Sequence, residues 1–106
     1  MRIYIAGAVS NDPDYINKFA KAEKELRATF RGAVVNPVRE TQNVFLFPEK
    51  EKWSTLMLYC LKLLSDCTHI FMLSDYYRSV GACIELEFAR KCGLEIIFEE
   101  GPKKAA

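Results

Sequence analysis

RIYIAGAVSNDPDYINKFAKAEKELRATFRGAVVN, residues 2–36, is the stretch whose reading decides the fold. Arg2–Gly7 is a short β-rich run that stops at a glycine, and it reads as a buried first strand. Asn11-Asp12-Pro13-Asp14 then supplies a helix start: a capping side chain, a proline in the first turn, and acids near the positive end of the helix dipole. From there Tyr15, Phe19, Ala22, Leu26 and Phe30 fall on one stripe at helical spacing. Glu23 and Arg27 sit four apart on the side expected to face solvent. Gly32 ends the helix, and Ala33-Val34-Val35 is a second strand closed by Asn36-Pro37.

Outward from this unit the alternation continues. Val38 to Lys52 has no clean period and carries an apolar patch, Phe45-Leu46-Phe47-Pro48; a loop this long predicts a lid or a partner surface. Trp53–Ser65 reads as a helix with a wide apolar face that includes Trp53, Leu56, Met57, Cys60 and Leu64. Such width predicts contact with the sheet and with a second subunit, so a homodimer or higher oligomer through residues 53–65 is expected. His69–Leu73 is the third strand, Val80–Cys92 a helix ended by Gly93, and Glu95–Phe98 the last strand.

The fold expected is α/β: a small doubly wound parallel sheet of about four strands, flavodoxin-like or Rossmann-like, with helices on both faces. It occupies residues 1–100 as a single domain, with 101–106 a frayed tail. Ligands of such sheets bind outside the carboxyl ends of the strands where strand order reverses. That predicts one crevice bounded by Gly7–Asn11, Asn36–Glu40 and Ser74–Glu85.

Composition narrows the function. The chain has 106 residues, half of them hydrophobic, with 15 basic and 14 acidic residues and a formal net charge of +1. No basic stripe beyond Lys103-Lys104 marks a nucleic-acid binder, so no nucleic-acid partner is expected. No apolar run approaches the roughly 18 residues of a membrane span, and the apolar start is broken at Asn11–Asp14. The four cysteines (Cys60, Cys67, Cys83, Cys92) form no C-x-x-C pair and share the chain with a single histidine, His69, which reads as structural. Neither a metal nor a cofactor nor a disulfide framework is expected, and the compartment implied is a reducing cytoplasm.

One residue resists a purely structural reading. On the wheel of the 80–92 helix, Gly81, Ala82, Ile84, Phe88, Ala89 and Cys92 form an apolar or small arc, and Glu85 lies in its middle. An unpaired buried carboxylate costs several kcal/mol, so it needs a partner or a task. Tyr4 or Arg39 is a candidate partner; the functional alternative is a carboxylate facing the crevice. Ser79 just ahead of the helix is first an N-cap, and the same free N–H groups make a phosphate site. Tyr76 and Tyr77 either stack on a base or pack beside the core.

Together these residues resemble the nucleoside 2-deoxyribosyltransferase-like superfamily, and within it the small bacterial and phage branch similar to nucleoside 5′-monophosphate N-glycosidases. The likeness is carried by Arg2–Gly7, Asp12-Pro13-Asp14-Tyr15, Asn36-Pro37, Trp53 and Ser79-Val80-Gly81-Ala82-Cys83-Ile84-Glu85, in that order along the chain. The resemblance implies that Glu85 attacks C1′ of a nucleoside or nucleotide, and that water or a second base resolves the glycosyl-enzyme. It implies Tyr4 and Gly7 in the lining, with Asn36 and Gly81 beside them. It also implies Ser79 at the position that favours a 5′-phosphate over a free nucleoside. One departure stands out: seven residues after Trp53, where the family places an aspartate that deals with the base, this chain has Cys60. Asp75 or Glu40 is the candidate replacement. The expected function is hydrolysis or transfer at the N-glycosidic bond of a (deoxy)nucleoside 5′-monophosphate, the alternative a nucleotide-binding protein with weakened chemistry.

Overall fold

The computed structural model describes residues 1–10, 12–41 and 49–100, the side chains of 49–52 excepted. Asn11, the Phe45–Pro48 patch and the 101–106 tail lie outside the described residues. The elements are β1 (Arg2–Ala6), α1 (Tyr15–Thr29), β2 (Ala33–Val35), α2 (Pro37–Glu40), α3 (Glu49–Ser65), β3 (His69–Met72), a 3-10 turn (Tyr76–Arg78), α4 (Val80–Lys91) and β4 (Glu95–Phe98). The four strands form one sheet in the order β2-β1-β3-β4, and every pairing is parallel. The expected α/β class and strand count hold.

The period of two along the strands divides the core into two layers. On β1, Ile3 and Ile5 pack with Phe19, Ala22 and Leu26 of α1. Their neighbours Tyr4 and Ala6 face the other way, toward Leu64 of α3 and Ala82, Leu86 and Ala89 of α4. Val34 and Val35 of β2 split in the same manner, as do Leu73 and the Ile70–Met72 pair around β3. The chain leaves β1 for β2 on one side and returns across it to β3 on the other. The switch point therefore lies between β1 and β3.

Three local readings are corrected. α3 starts at Glu49, four residues before the expected Trp53, and a short α2 occupies Pro37–Glu40 in what reads as loop. α1 begins at Tyr15, so Pro13 precedes the helix; the Asp14 side chain makes no cap bond. Asp12 instead accepts from the Asp14 N–H at 2.9 Å and from Lys18. Third, Glu23 does not face solvent but is 3 % exposed. Asn36 and Arg39, just past β2, fold over that flank of α1. Asn36 Nδ2 donates to Glu23 Oε1 at 3.1 Å, while Arg27 and Arg39 each donate to Oε2 at 2.7 Å. The i,i+4 pairing with Arg27 was legible; the burial was not.

Burial pushes the Glu23 carboxyl up, but the bonds from Asn36 and Arg27 and the charge of Arg39 outweigh it and hold it below the ordinary carboxylate value. A depressed value stabilises the fold above the ordinary value of 4.5 and loses that contribution as pH falls through the folded value. Both arginines are more than half exposed, which limits the gain. Glu23→Ala is expected to cost about 2 kcal/mol in urea unfolding at pH 7. The gap to wild type should narrow as pH falls below 4.5; an equal gap at pH 7 and at acid pH would mean packing, not charge, sets the cost.

Candidate active site

Tyr4 is the central residue of β1 and points onto the α4 side, where its hydroxyl donates to Glu85 Oε2. Tyr4 is 0 % exposed and Glu85 7 %. Glu85 is thus both paired, as the structural reading required, and placed in the crevice wall, as the functional reading required. Arg39, the other candidate partner, is committed to Glu23. Burial raises the Glu85 carboxyl to about 7 against the opposing effect of the Tyr4 hydrogen bond. Near neutral pH the group is therefore divided between its two protonation states. Burial and then the charge of Glu85 push Tyr4 well above the usual phenol range, so it remains a donor.

The crevice encloses about 860 Å³ and lies past the carboxyl end of β1, among the segment after β2, α3 and the start of α4. Gly7, Ser79, Gly81, Tyr4 and Glu85 all line it, so the structure brings together five of the six expected site residues. Gly7 is required by close approach: a Cβ there would lie 2.6 Å from Leu73 Cδ1. Ser79 caps α4, its Oγ accepting from the Ala82 N–H at 3.0 Å. The helix it opens is 12 residues long, and Val80, Gly81 and Ala82 of its first turn line the crevice.

Asn36 is not brought to this lining. It caps α2, accepting from the Val38 N–H at 3.0 Å, and spends its amide on Glu23. The two candidate replacements for the family aspartate are not in the lining either. Asp75 is bound to Lys18 and to the Ala8 N–H, and Glu40 is exposed on α2. Cys60 does line the crevice, beside Tyr4 and Glu85, and burial raises its thiol to about 11. It is a neutral S–H at physiological pH and no source of charge. Tyr76 packs on Phe98 with ring centroids 5.6 Å apart, and Tyr77 is absent from the crevice lining. His69 stacks edge-on to Phe30 at the other end of β3, as its structural reading required.

The reading of the sequence overlooked Arg78. It ends the 3-10 turn and lines the crevice next to Ser79, with its guanidinium 5.7 Å from the centroid of the Tyr77 ring. Its adjacency to Ser79 in the chain was the available signal. Also unforeseen is the apolar half of the wall, formed by Val9, Ile16, Trp53, Leu56 and Met57.

A carboxyl whose folded value is raised favours folding below its unfolded value and loses that contribution as pH climbs through about 7. Glu85→Gln keeps the shape and removes the titration. It should be more stable than wild type by about 3 kcal/mol at pH 8.5 and nearly equal at pH 4, from the roughly 1.4 kcal/mol that each pH unit represents. Thermal unfolding across that range checks this; a constant difference would contradict the raised value.

Sequence comparison matches residues 1–98 to the profile of a domain of unknown function, DUF4406. No protein of curated function matches the chain in sequence. Among solved structures, the chain is similar to a 2-deoxyribosyltransferase from the psychrotolerant bacterium Bacillus psychrosaccharolyticus, with a TM-score of 0.73 at 21% identity. The match covers 92% of this chain and 71% of that one, and it is a likeness of fold. The chain thus belongs to the DUF4406 family and has a nucleoside deoxyribosyltransferase-like α/β fold.

Proposed function

We propose that the chain cleaves or transfers at the N-glycosidic bond of a (deoxy)nucleoside 5′-monophosphate, with Glu85 as the nucleophile. The observation that carries the reading is the buried Glu85 carboxylate in the crevice wall, with one oxygen held by Tyr4. In the first step the other oxygen forms a bond to C1′ while the C1′–N bond breaks, and the base leaves with that electron pair and takes up a proton. Water, or the nitrogen of a second base, then attacks C1′ and returns the carboxylate. The oxocarbenium-like character of both transition states is what a fixed carboxylate stabilises. The 5′-phosphate would take the α4 N-terminus, with Ser79, the Gly81 N–H and Arg78 around it. The sugar then lies between Gly7 and Glu85, and the base against the apolar wall.

Cys60 favours a second reading, a protein that binds the nucleotide and performs the chemistry poorly. A neutral thiol near 11 is a weak proton donor to a departing base, and loss of a general acid typically costs about 10²–10⁴-fold in rate. α3 also presents Leu58 and Tyr59, outside the crevice lining, at 69% and 41% exposure. We propose that a second copy covers this face; Leu58→Lys should then halve the mass seen by light scattering.

The deciding experiment incubates wild type and Glu85→Ala with nucleoside 5′-monophosphates and free nucleosides and follows base release by chromatography. Release by wild type alone, faster with monophosphates, supports the glycosidic reading, and retained turnover in Glu85→Ala ends it. Nucleotide binding by calorimetry without release supports the second reading. Because the nucleophile must be ionised, kcat/KM should rise with pH and level off above about 7.

A further inference from the structure

The last backbone rung joining β1 to β3 is Leu73 N–H to Ala6 O at 2.8 Å. Past it a side-chain cluster takes over. Lys18, on the first turn of α1, donates to Ala8 O at 2.8 Å and also to Asp12 and Asp75. Asp75 in turn accepts from the Ala8 N–H at 3.2 Å. Both polar groups that flank Ala8 are thus tied to one cluster. Gly7 and Val9, on either side of Ala8, line one wall of the crevice, while Arg78, Ser79 and the start of α4 line the facing wall. The ion pairs are only about a quarter exposed, with side chains at 24% for Lys18 and Asp75 and 27% for Asp12. Burial lowers the Lys18 ammonium, but the two carboxylates more than restore it, so it stays charged.

We propose that Lys18 is a positioning residue: its one ammonium ties the loop after β1 to the loop after β3 and fixes the width of the crevice between them. The two carboxylates differ in what they do. Asp12 belongs to the same loop-and-helix segment as Lys18, so that pair stiffens one wall. Asp75 lies across the switch point, so the Lys18–Asp75 pair sets the distance between walls. Displacing a reacting group by about 1 Å can cost on the order of 10²-fold in rate; the α4 wall here carries both the phosphate end and the nucleophile of the proposed reaction, and the Gly7 wall would hold the sugar against them. The kinetic consequence rests on the glycosidic reading; the tie itself does not.

The test compares Lys18→Met, Lys18→Arg, Asp75→Asn and Asp12→Asn by amide hydrogen exchange and by kcat and KM for base release from a nucleoside 5′-monophosphate. In Lys18→Met and Asp75→Asn the Ala8 amide should exchange at least about tenfold faster while Ile5 and Ile70 keep their protection. In the same variants kcat should fall about 10- to 100-fold with KM changed less than about threefold. Lys18→Arg should recover most of both, and Asp12→Asn should stay near wild type. Unchanged Ala8 exchange in either Lys18→Met or Asp75→Asn overturns the proposal. So does a kcat loss in Asp12→Asn equal to that in Asp75→Asn. If wild type releases no base, the glycosidic reading fails and the exchange readout alone decides the tie. Asp75→Asn removes the charge that Lys18 pairs with and serves if Lys18→Met does not fold.

Discussion

A carboxylate buried between a parallel sheet and the helix packed on it has lost most of its water, and something in the fold must replace what was lost. Here the replacement is one phenol, Tyr4, in the middle of the central strand β1. That contact requires β1 to show Tyr4 on the α4 side while Ile3 and Ile5 face α1. It also requires α4 to start close to Ser79, so that Glu85 falls on the inner side of its second turn. A slip of one residue in β1 would turn Tyr4 to the wrong face and leave Glu85 without its donor. Sheet register, helix start and crevice all meet in this bond.

Among the described residues two carboxylates, Glu23 and Glu85, are buried, and they are treated in opposite ways. Glu23 is surrounded by two guanidinium groups and an amide, and its charged form is favoured. It joins α1 to the start of α2 and takes no part in the crevice lining. Glu85 receives one neutral donor, and burial prevails. A fold that only needed a buried anchor would be served better by the first arrangement. Keeping a carboxyl near neutrality at a cavity wall is unfavourable for stability and useful for chemistry, the usual trade at reactive sites.

The crevice is mixed in chemistry. The α4 N-terminus, Ser79, Arg78 and Glu85 share its lining with the apolar Trp53, Leu56 and Met57. Such a lining suits a ligand that carries both an anionic group and a flat, less polar part. Cys60 lines it as a neutral group, and of the carboxylates among the described residues only Glu85 lines the cavity.

Sequence by itself determined the layered α/β fold, because strand and helix periods are local and the strands are separated by helices with clear starts and stops. It also singled out Glu85, whose place on an apolar helical arc is visible from spacing alone, and it grouped Gly7, Ser79 and Gly81 at strand and helix ends. Only the tertiary structure decided what lies beside what. Asn36 looked like a crevice residue from its place after β2, yet its amide is drawn to Glu23 across α1. Asp75 looked like a spare acid, yet Lys18 takes it, 57 positions away in the chain. Arg78 stands beside Ser79 in the chain, yet its place in the crevice lining is set by the turn that carries it. Hydrogen bonds and ion pairs of this kind are settled by which loops converge at the switch point, and local periodicity carries no record of that convergence.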